Sequence, residues 1–341
     1  MKPAMGKTTI REIAEKAGVC IATVSRVLNQ KDNVLPETRQ KILALIERTG
    51  YRPNAMGRGL VLRRSRNIVL AHFSIADPYC VALSESVSSR CHELGYRMLL
   101  ADCRCDAALE AEHLARVRDG SADGMIVSPL PIRDNIPVFR ELAQSGFPVV
   151  VIDNAAPTVK MHCVKYDDVA AGAMAMDYLF AKGHRRIAFL QREHAFHTVE
   201  DRRRSFFESH RKRGVPVTPD CVVTMPYSFC DWDPSQLERL LALPGRPTAI
   251  LTENEIVAVA CMNILLRRSI RIPEDVAVMA IGDALLDSLV PVPMTTISLH
   301  PERAALHAVD LLAKLIETPP PRRPKPRTYV QKPSLVVRQS A

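Results

Sequence analysis

Residues 8–29 read T-T-I-R-E-I-A-E-K-A-G-V-C-I-A-T-V-S-R-V-L-N, two short helical patterns joined by a tight turn. Thr9 and Glu12 have the spacing of a capping box, in which the hydroxyl accepts a backbone N–H and the carboxylate reaches back. Ile10, Ile13, Ala14 and Ala17 then recur on one apolar face, and Gly18 stops the run. A second helix follows, with Val24, Val27 and Leu28 facing the first and Ile21, Ala22, Thr23, Ser25, Arg26 and Asn29 pointing outward. That outward set suits a DNA groove. It offers hydroxyls and an amide for phosphates, a guanidinium that can fork onto guanine O6 and N7, and small apolar groups for a thymine methyl. A helical hairpin that only packs would show the same apolar face. The context favours more: a third amphipathic pattern spans about 36–48, with Pro36 in its first turn, Ile42, Leu45 and Ile46 inward and Gly50 just past its end.

Charge separates this segment from the rest. Of 46 Lys+Arg and 37 Asp+Glu in 341 residues, 14 and 5 lie in residues 1–66, so residues 67–341 hold 32 of each sign. All of the formal excess of +9 therefore sits with the helical hairpin, as a phosphate-binding module requires. The length leads us to expect two or three domains. No apolar stretch reaches the length of a membrane span and no secretory signal is visible, so a cytoplasmic protein without membrane contact is expected. Nine cysteines, an odd number in a long chain, do not read as a disulfide framework. Cys103 and Cys105 form a C-x-C with no second pair at zinc-like spacing, and we read them as ordinary thiols.

Residues 51–66 form a basic connector, and beyond Asn67 the pattern alternates. Apolar runs at 68–73, 97–101, 124–128, 148–152, 186–190, 247–251 and 276–281 read as buried strands. Amphipathic stretches at 80–93, 107–119, 135–145, 168–182, 199–213, 254–268 and 301–316 read as helices. Such alternation implies parallel sheets wrapped by helices, better housed in two lobes than in one sheet, with a ligand site beyond the C-terminal strand edges. No G-x-S-x-G, P-loop or H-E-x-x-H is present, and no catalytic, metal or cofactor set emerges.

The run A-T-V-S-R-V-L-N, then E-T-R, G-Y-R-P-N-A and Leu60, resembles the headpiece of the LacI/GalR family of bacterial transcription regulators. The strings D-P-Y (77–79), A-D-G-M-I-V-S-P (122–129), G-F-P-V-V-V-I-D (146–153), G-H-R-R-I-A-F-L (183–190), P-T-A-I-L-T-E-N-E (247–255) and R-I-P-E-D-V-A-V (271–278) resemble that family's periplasmic-binding-protein-like core. The resemblance covers essentially the whole chain. It implies an all-α helix-turn-helix domain over 1–52, a hinge over 53–66 and a two-lobed α/β core over 67–341. Lobe one would be about 67–166 plus 299–326 and lobe two about 167–298 plus 327–341, with the proline-rich 319–327 as a crossover. In the headpiece, Ile21, Ala22 and Arg26 would read bases, Thr23, Ser25 and Asn29 would hold phosphates, and Asn54, Arg58 and Leu60 would serve the hinge, Leu60 as a minor-groove wedge. Tyr79, Ser128, Asp167, Arg202, Tyr227 and Asn254 would line an effector cleft.

The resemblance implies a repressor of a near-palindromic double-stranded operator, acting as a homodimer and governed by a small-molecule effector. Four departures from the family pattern stand out. Cys20 and Leu35 replace usual capping serines, and a thiol is a poor capping acceptor. Gly57 and Gly59 replace the Ala and Ser of the hinge and lower its helicity. Gly282 stands where sugar-binding members carry an acceptor Asp. With Arg202 retained, that last change points to an anionic effector such as a sugar acid, unless Asp283 or Glu255 restores the acceptor. Two other classes stay open: a solute-binding protein of transport, which should carry a secretory signal and no basic headpiece, and a non-catalytic α/β sensor acting without DNA.

Overall fold

The computed structural model describes residues 8–28, 33–51, 64–131, 135–154, 159–193, 196–217, 219–226, 234–242, 245–283 and 290–341. The chain divides into two units, Met1–Ser65 and Arg66–Ala341.

In the first unit the capping and apolar patterns become α1 (Ile10–Ala17), α2 (Ile21–Leu28) and α3 (Pro36–Thr49). Thr9 Oγ1 accepts from the Glu12 N–H at 3.3 Å, so the hydroxyl arm of the capping box forms. Gly18 closes α1 at φ 71°, a left-handed conformation that costs glycine no Cβ clash. Ile13, Ala14, Ala17, Val24, Val27, Ile42 and Leu45 are buried together, with Ile10, Leu28 and Ile46 packed against them. At the start of α2 the Cys20 carbonyl accepts from Thr23 N–H at 2.9 Å. The Cys20 Sγ lies 3.2 Å from Thr23 Oγ1, and this contact holds the thiol below its usual pKa. Leu35 makes no side-chain cap and is 75% exposed, and Pro36 follows it in the first turn of α3.

The second unit holds two six-stranded sheets. The first runs in the order β11 (Thr328–Gln331), β5 (His162–Tyr166), β4 (Val149–Ile152), β3 (Gly124–Ser128), β1 (Asn67–His72), β2 (Arg97–Asp102). The second runs β12 (Ser334–Val336), β10 (Thr295–Ser298), β9 (Ala277–Ile281), β8 (Ala249–Thr252), β6 (Ile187–Arg192), β7 (Val222–Met225). All neighbours pair in parallel except β12, which lies antiparallel to β10 with Thr296 opposite Val336. The helices are α4 (Pro78–Glu93), α5 (Ala107–Arg116), α6 (Ile136–Gln144), α7 (Asp168–Ala181), α8 (His197–Lys212), α9 (Ser235–Ala242), α10 (Glu255–Arg267) and α11 (Pro301–Glu317). One apolar cluster runs through both lobes, from Ile68 and Leu83 to Phe189, Phe206 and Leu312.

The chain leaves the first sheet after β5 and the second after β10, and its last return differs from the sequence reading. β11 pairs with β5 in the first sheet, Thr328 opposite Cys163, so the return to lobe two falls between Gln331 and Ser334 rather than after residue 326. The proline-rich 319–327 is therefore not the crossover. It descends from α11 to β11 within lobe one, held where Pro324 O meets His162 Nε2 at 3.2 Å and where Arg323 donates to the Thr318 carbonyl at 2.9 Å.

One close helix crossing positions the site. α7 and α8 meet at Gly172, where a Cβ would lie 2.7 Å from Ser205 Cβ and 3.1 Å from the Arg202 carbonyl oxygen. Only glycine lets the backbone of α8 come this near and bring Arg202 beside Asp168, one turn earlier on α7.

Candidate effector cleft and DNA-reading face

The C-terminal edges of β1, β4 and β5 in one lobe and β6, β8 and β9 in the other open onto a common cleft of about 710 Å³, counting its mouth. That is the place where parallel sheets put small-molecule sites. Lobe one contributes Phe73, Asp77, Tyr79, Asp153, Asn154 and Tyr166. From lobe two come Arg192, Phe196, Arg202, Glu253, Asn254 and Glu255.

One wall is aromatic. Phe73 and Phe196, from different lobes, have centroids 5.2 Å apart, and Tyr79 meets Tyr166 edge-on at 5.9 Å, their hydroxyls 3.2 Å apart. The other wall is charged. Arg202 is 8% exposed and donates from Nε to Asp168 Oδ1 at 2.8 Å and from Nη1 to the Glu253 carbonyl at 2.6 Å. Burial works against its charge, but Asp168, Asp153 and Glu253 outweigh that and keep it protonated. Arg192 bridges the lobes: its Nη2 lies 3.2 Å from Asp77 Oδ2 in lobe one and its Nε 2.9 Å from Glu253 Oε1 in lobe two, all three side chains being buried.

Asp153 follows β4 at φ 70°, an uncommon conformation for a residue with a Cβ. Burial, with Asp168 beside it and Arg202 only partly compensating, pushes its carboxyl up to about 7. Asn154 Nδ2 donates to Asp153 Oδ2 at 3.0 Å.

In the headpiece, α2 presents Ile21, Ala22 and Arg26 exposed and Thr23 and Ser25 half-exposed, opposite the buried Val24 and Val27. The side chains chosen for DNA lie on one surface and the apolar ones face the core.

A model described as bacterial regulatory proteins, lacI family, matches residues 9–54, and one described as a periplasmic binding protein-like domain matches 176–341. The HTH-type transcriptional regulator DegA of Bacillus subtilis is 28% identical over 293 residues, 86% of each chain. The HTH-type transcriptional repressor PurR of Mannheimia succiniciproducens is 27% identical over 335 residues, 97% of this chain and 98% of its own. The chain belongs to the lacI family of bacterial regulatory proteins. A Lac repressor dimer bound to operator and the anti-inducer ONPF shares the fold at TM-score 0.82 and 23% identity, covering 98% of this chain and 99% of that one. Family membership makes this chain a DNA-binding transcriptional regulator rather than an enzyme. No helix among the described residues is long and apolar enough to cross a membrane.

Within this lacI-family core, Tyr79, Arg202 and Asn254 line the cleft, whereas Ser128 and Asp167 do not. Ser128 is buried at the end of β3. Asp167 caps α7, accepting from the Ala170 N–H at 3.1 Å. Asn254 both lines the cleft and caps α10 through the Val257 N–H at 3.0 Å. Tyr227, Asn29, Asn54, Arg58, Leu60, Gly57 and Gly59 lie outside the described residues.

Sequence reasoning missed Asp153, Arg192 and Phe196, and named Glu255 only as a residue that could restore the acceptor lost at Gly282. Asp153 ends the run G-F-P-V-V-V-I-D and Glu255 the run P-T-A-I-L-T-E-N-E, each just past an apolar strand. Arg192 ends β6 and Phe196 lies just beyond it, with no local pattern to mark either. The expectation of an anionic effector also loses its ground. The cleft lining carries five carboxylates, Asp77, Asp153, Glu253, Glu255 and Asp283, against two guanidiniums, and Arg202 is already engaged by Asp168. Gly282 has indeed vacated its place, but Glu255 Cγ lies 4.0 Å from where a Cβ would stand. Asp283 is held by Arg338 at 3.0 Å instead.

Proposed function

We propose that this chain is a repressor that binds a near-palindromic operator as a homodimer and changes its operator affinity when a small molecule occupies the inter-lobe cleft. The observation that carries the reading is the division of α2 into a buried Val24–Val27 face and an exposed Ile21, Ala22 and Arg26 face. An exposed helix face that joins a guanidinium to small apolar groups suits a DNA groove, and one such headpiece covers few base pairs, so a two-fold pair supplies the specificity. The related PurR is named a repressor, and the structurally similar Lac repressor is a dimer on its operator with a small molecule bound. The cleft supports the control step. It is lined from both lobes, so a ligand that fits one lobe arrangement better shifts the equilibrium toward it, and DNA preferring one arrangement is then coupled to the ligand. The domain limits 1–52, 53–66 and 67–341 belong to this reading.

Selection of random duplexes by the full chain tests it. The expected product is an enriched sequence with two-fold symmetry and half-sites about one helical turn apart, or a multiple of it. Enrichment of a single asymmetric site, or none, contradicts the reading.

A further inference from the structure

We propose, resting on that reading of the cleft, that its effector is a small molecule bearing an ammonium or similarly cationic donor group, received by Asp153, Glu255 and the amide oxygen of Asn154. With Asp153 ionised the charge balance of the lining is negative by three, and both guanidiniums already meet carboxylates of the protein itself. A carboxylate or phosphate ligand would share guanidiniums already engaged by Asp168, Asp77 and Glu253 and would face the remaining carboxylates, whereas a cation meets acceptors already in place. Asn154 gives an independent sign. The residue is 5% exposed and lines the cleft, and its Oδ1 is buried with no hydrogen-bond partner in the structure. Its amide orientation follows from its neighbour, since Nδ2 donates to Asp153 and a reversed amide would set oxygen against carboxylate. A buried acceptor without a donor is costly, and a ligand N–H relieves it. Gly282 has φ 123° and no side chain, so nothing from that position stands between Glu255 and the ligand space. The aromatic wall of Phe73, Tyr79 and Phe196 supplies ring faces that attract cations.

The test uses the full chain and triads that keep one skeleton and vary one group. Suitable triads are glucosamine, glucose and glucuronate, and tyramine, 4-hydroxyphenylethanol and 4-hydroxyphenylacetate. Each is read by thermal melting of the core and by displacement from selected operator. The ammonium member of at least one triad should bind on the order of tenfold more tightly than its hydroxyl analogue, the carboxylate member most weakly. Asp153→Asn should erase the ammonium preference, and in the wild type the preference for tyramine, whose ammonium stays charged over this range, should grow as pH rises through about 7 and Asp153 ionises. If hydroxyl or carboxylate members bind better, the charge inference falls while the cleft stands as an effector site. If no member of either triad shifts melting or operator binding, the inference falls together with the effector reading of the cleft.

Discussion

Asp153 carries a cost that the rest of the core sustains. Its folded-state pKa of about 7 stands above the ordinary 3.8, so the fold favours the protonated form. Stability contributed by that proton is fully present below about pH 4 and is lost as pH rises through 7. Asp153→Asn, which mimics the protonated form, should therefore be more stable than wild type at pH 8, by up to about 4 kcal/mol. The gap should narrow as pH falls below 7 and close only near pH 4. Urea unfolding of both proteins at several pH values checks this, and a gap independent of pH would mean that Asp153 is solvated. Arg192 is the complementary case. Arg192→Ala leaves Asp77 and Glu253 buried without its guanidinium, and breaking a buried pair in this way should cost about 3–5 kcal/mol in the same assay. A loss below about 1 kcal/mol would show that the cross-cleft bridge does not form in solution.

The elements most legible in the sequence were those whose pattern is local. α1 and α3 announced their ends through Thr9, Gly18, Pro36 and Gly50, and β3, β4, β8 and β9 are uninterrupted apolar runs buried on both faces. β5 and β11 were missed because their sequences, H-C-V-K-Y and T-Y-V-Q, mix polar residues into short strands, β11 with three of four residues exposed at the sheet edge. β12 was missed for a related reason, being three half-buried residues whose antiparallel partner lies far back in the chain. The helix crossing at Gly172 yields a prediction of its own. Gly172→Ala places a methyl against Ser205 and the Arg202 backbone, so α8 must shift; overpacking of this kind should cost about 1–3 kcal/mol and weaken effector binding together. Unchanged melting and ligand affinity would show that the two helices part freely. The hinge prediction rests on sequence, since Gly57, Gly59 and Leu60 lie outside the described residues. Each glycine costs roughly 1 kcal/mol relative to alanine in a helix, so Gly57→Ala with Gly59→Ala should tighten operator binding and blunt the effector response. Protected hinge amides in hydrogen exchange without DNA would contradict it.

Over the whole molecule, alternation of strand and helix sufficed to anticipate two α/β lobes, and a cleft lies at their strand ends. The site's chemistry was less legible because it depends on neighbours that meet only in the fold. From the sequence, Arg202 looks like a cation awaiting an anion; in the structure Asp168 already occupies it, and Gly282 is backed by Glu255. The charge split that places all the excess positive charge in residues 1–66 needed no fold to be read, and it anchors the DNA function. The most direct test of that function compares wild type and Arg26→Ala on the selected operator and on random duplex at one salt concentration. The account predicts that Arg26→Ala loses about 1–3 kcal/mol on the operator, with relaxed preference at one symmetry-related base position and nearly unchanged random binding. An equal loss on both DNAs would show that Arg26 contacts only phosphate and that the outward face of α2 does not read sequence through it.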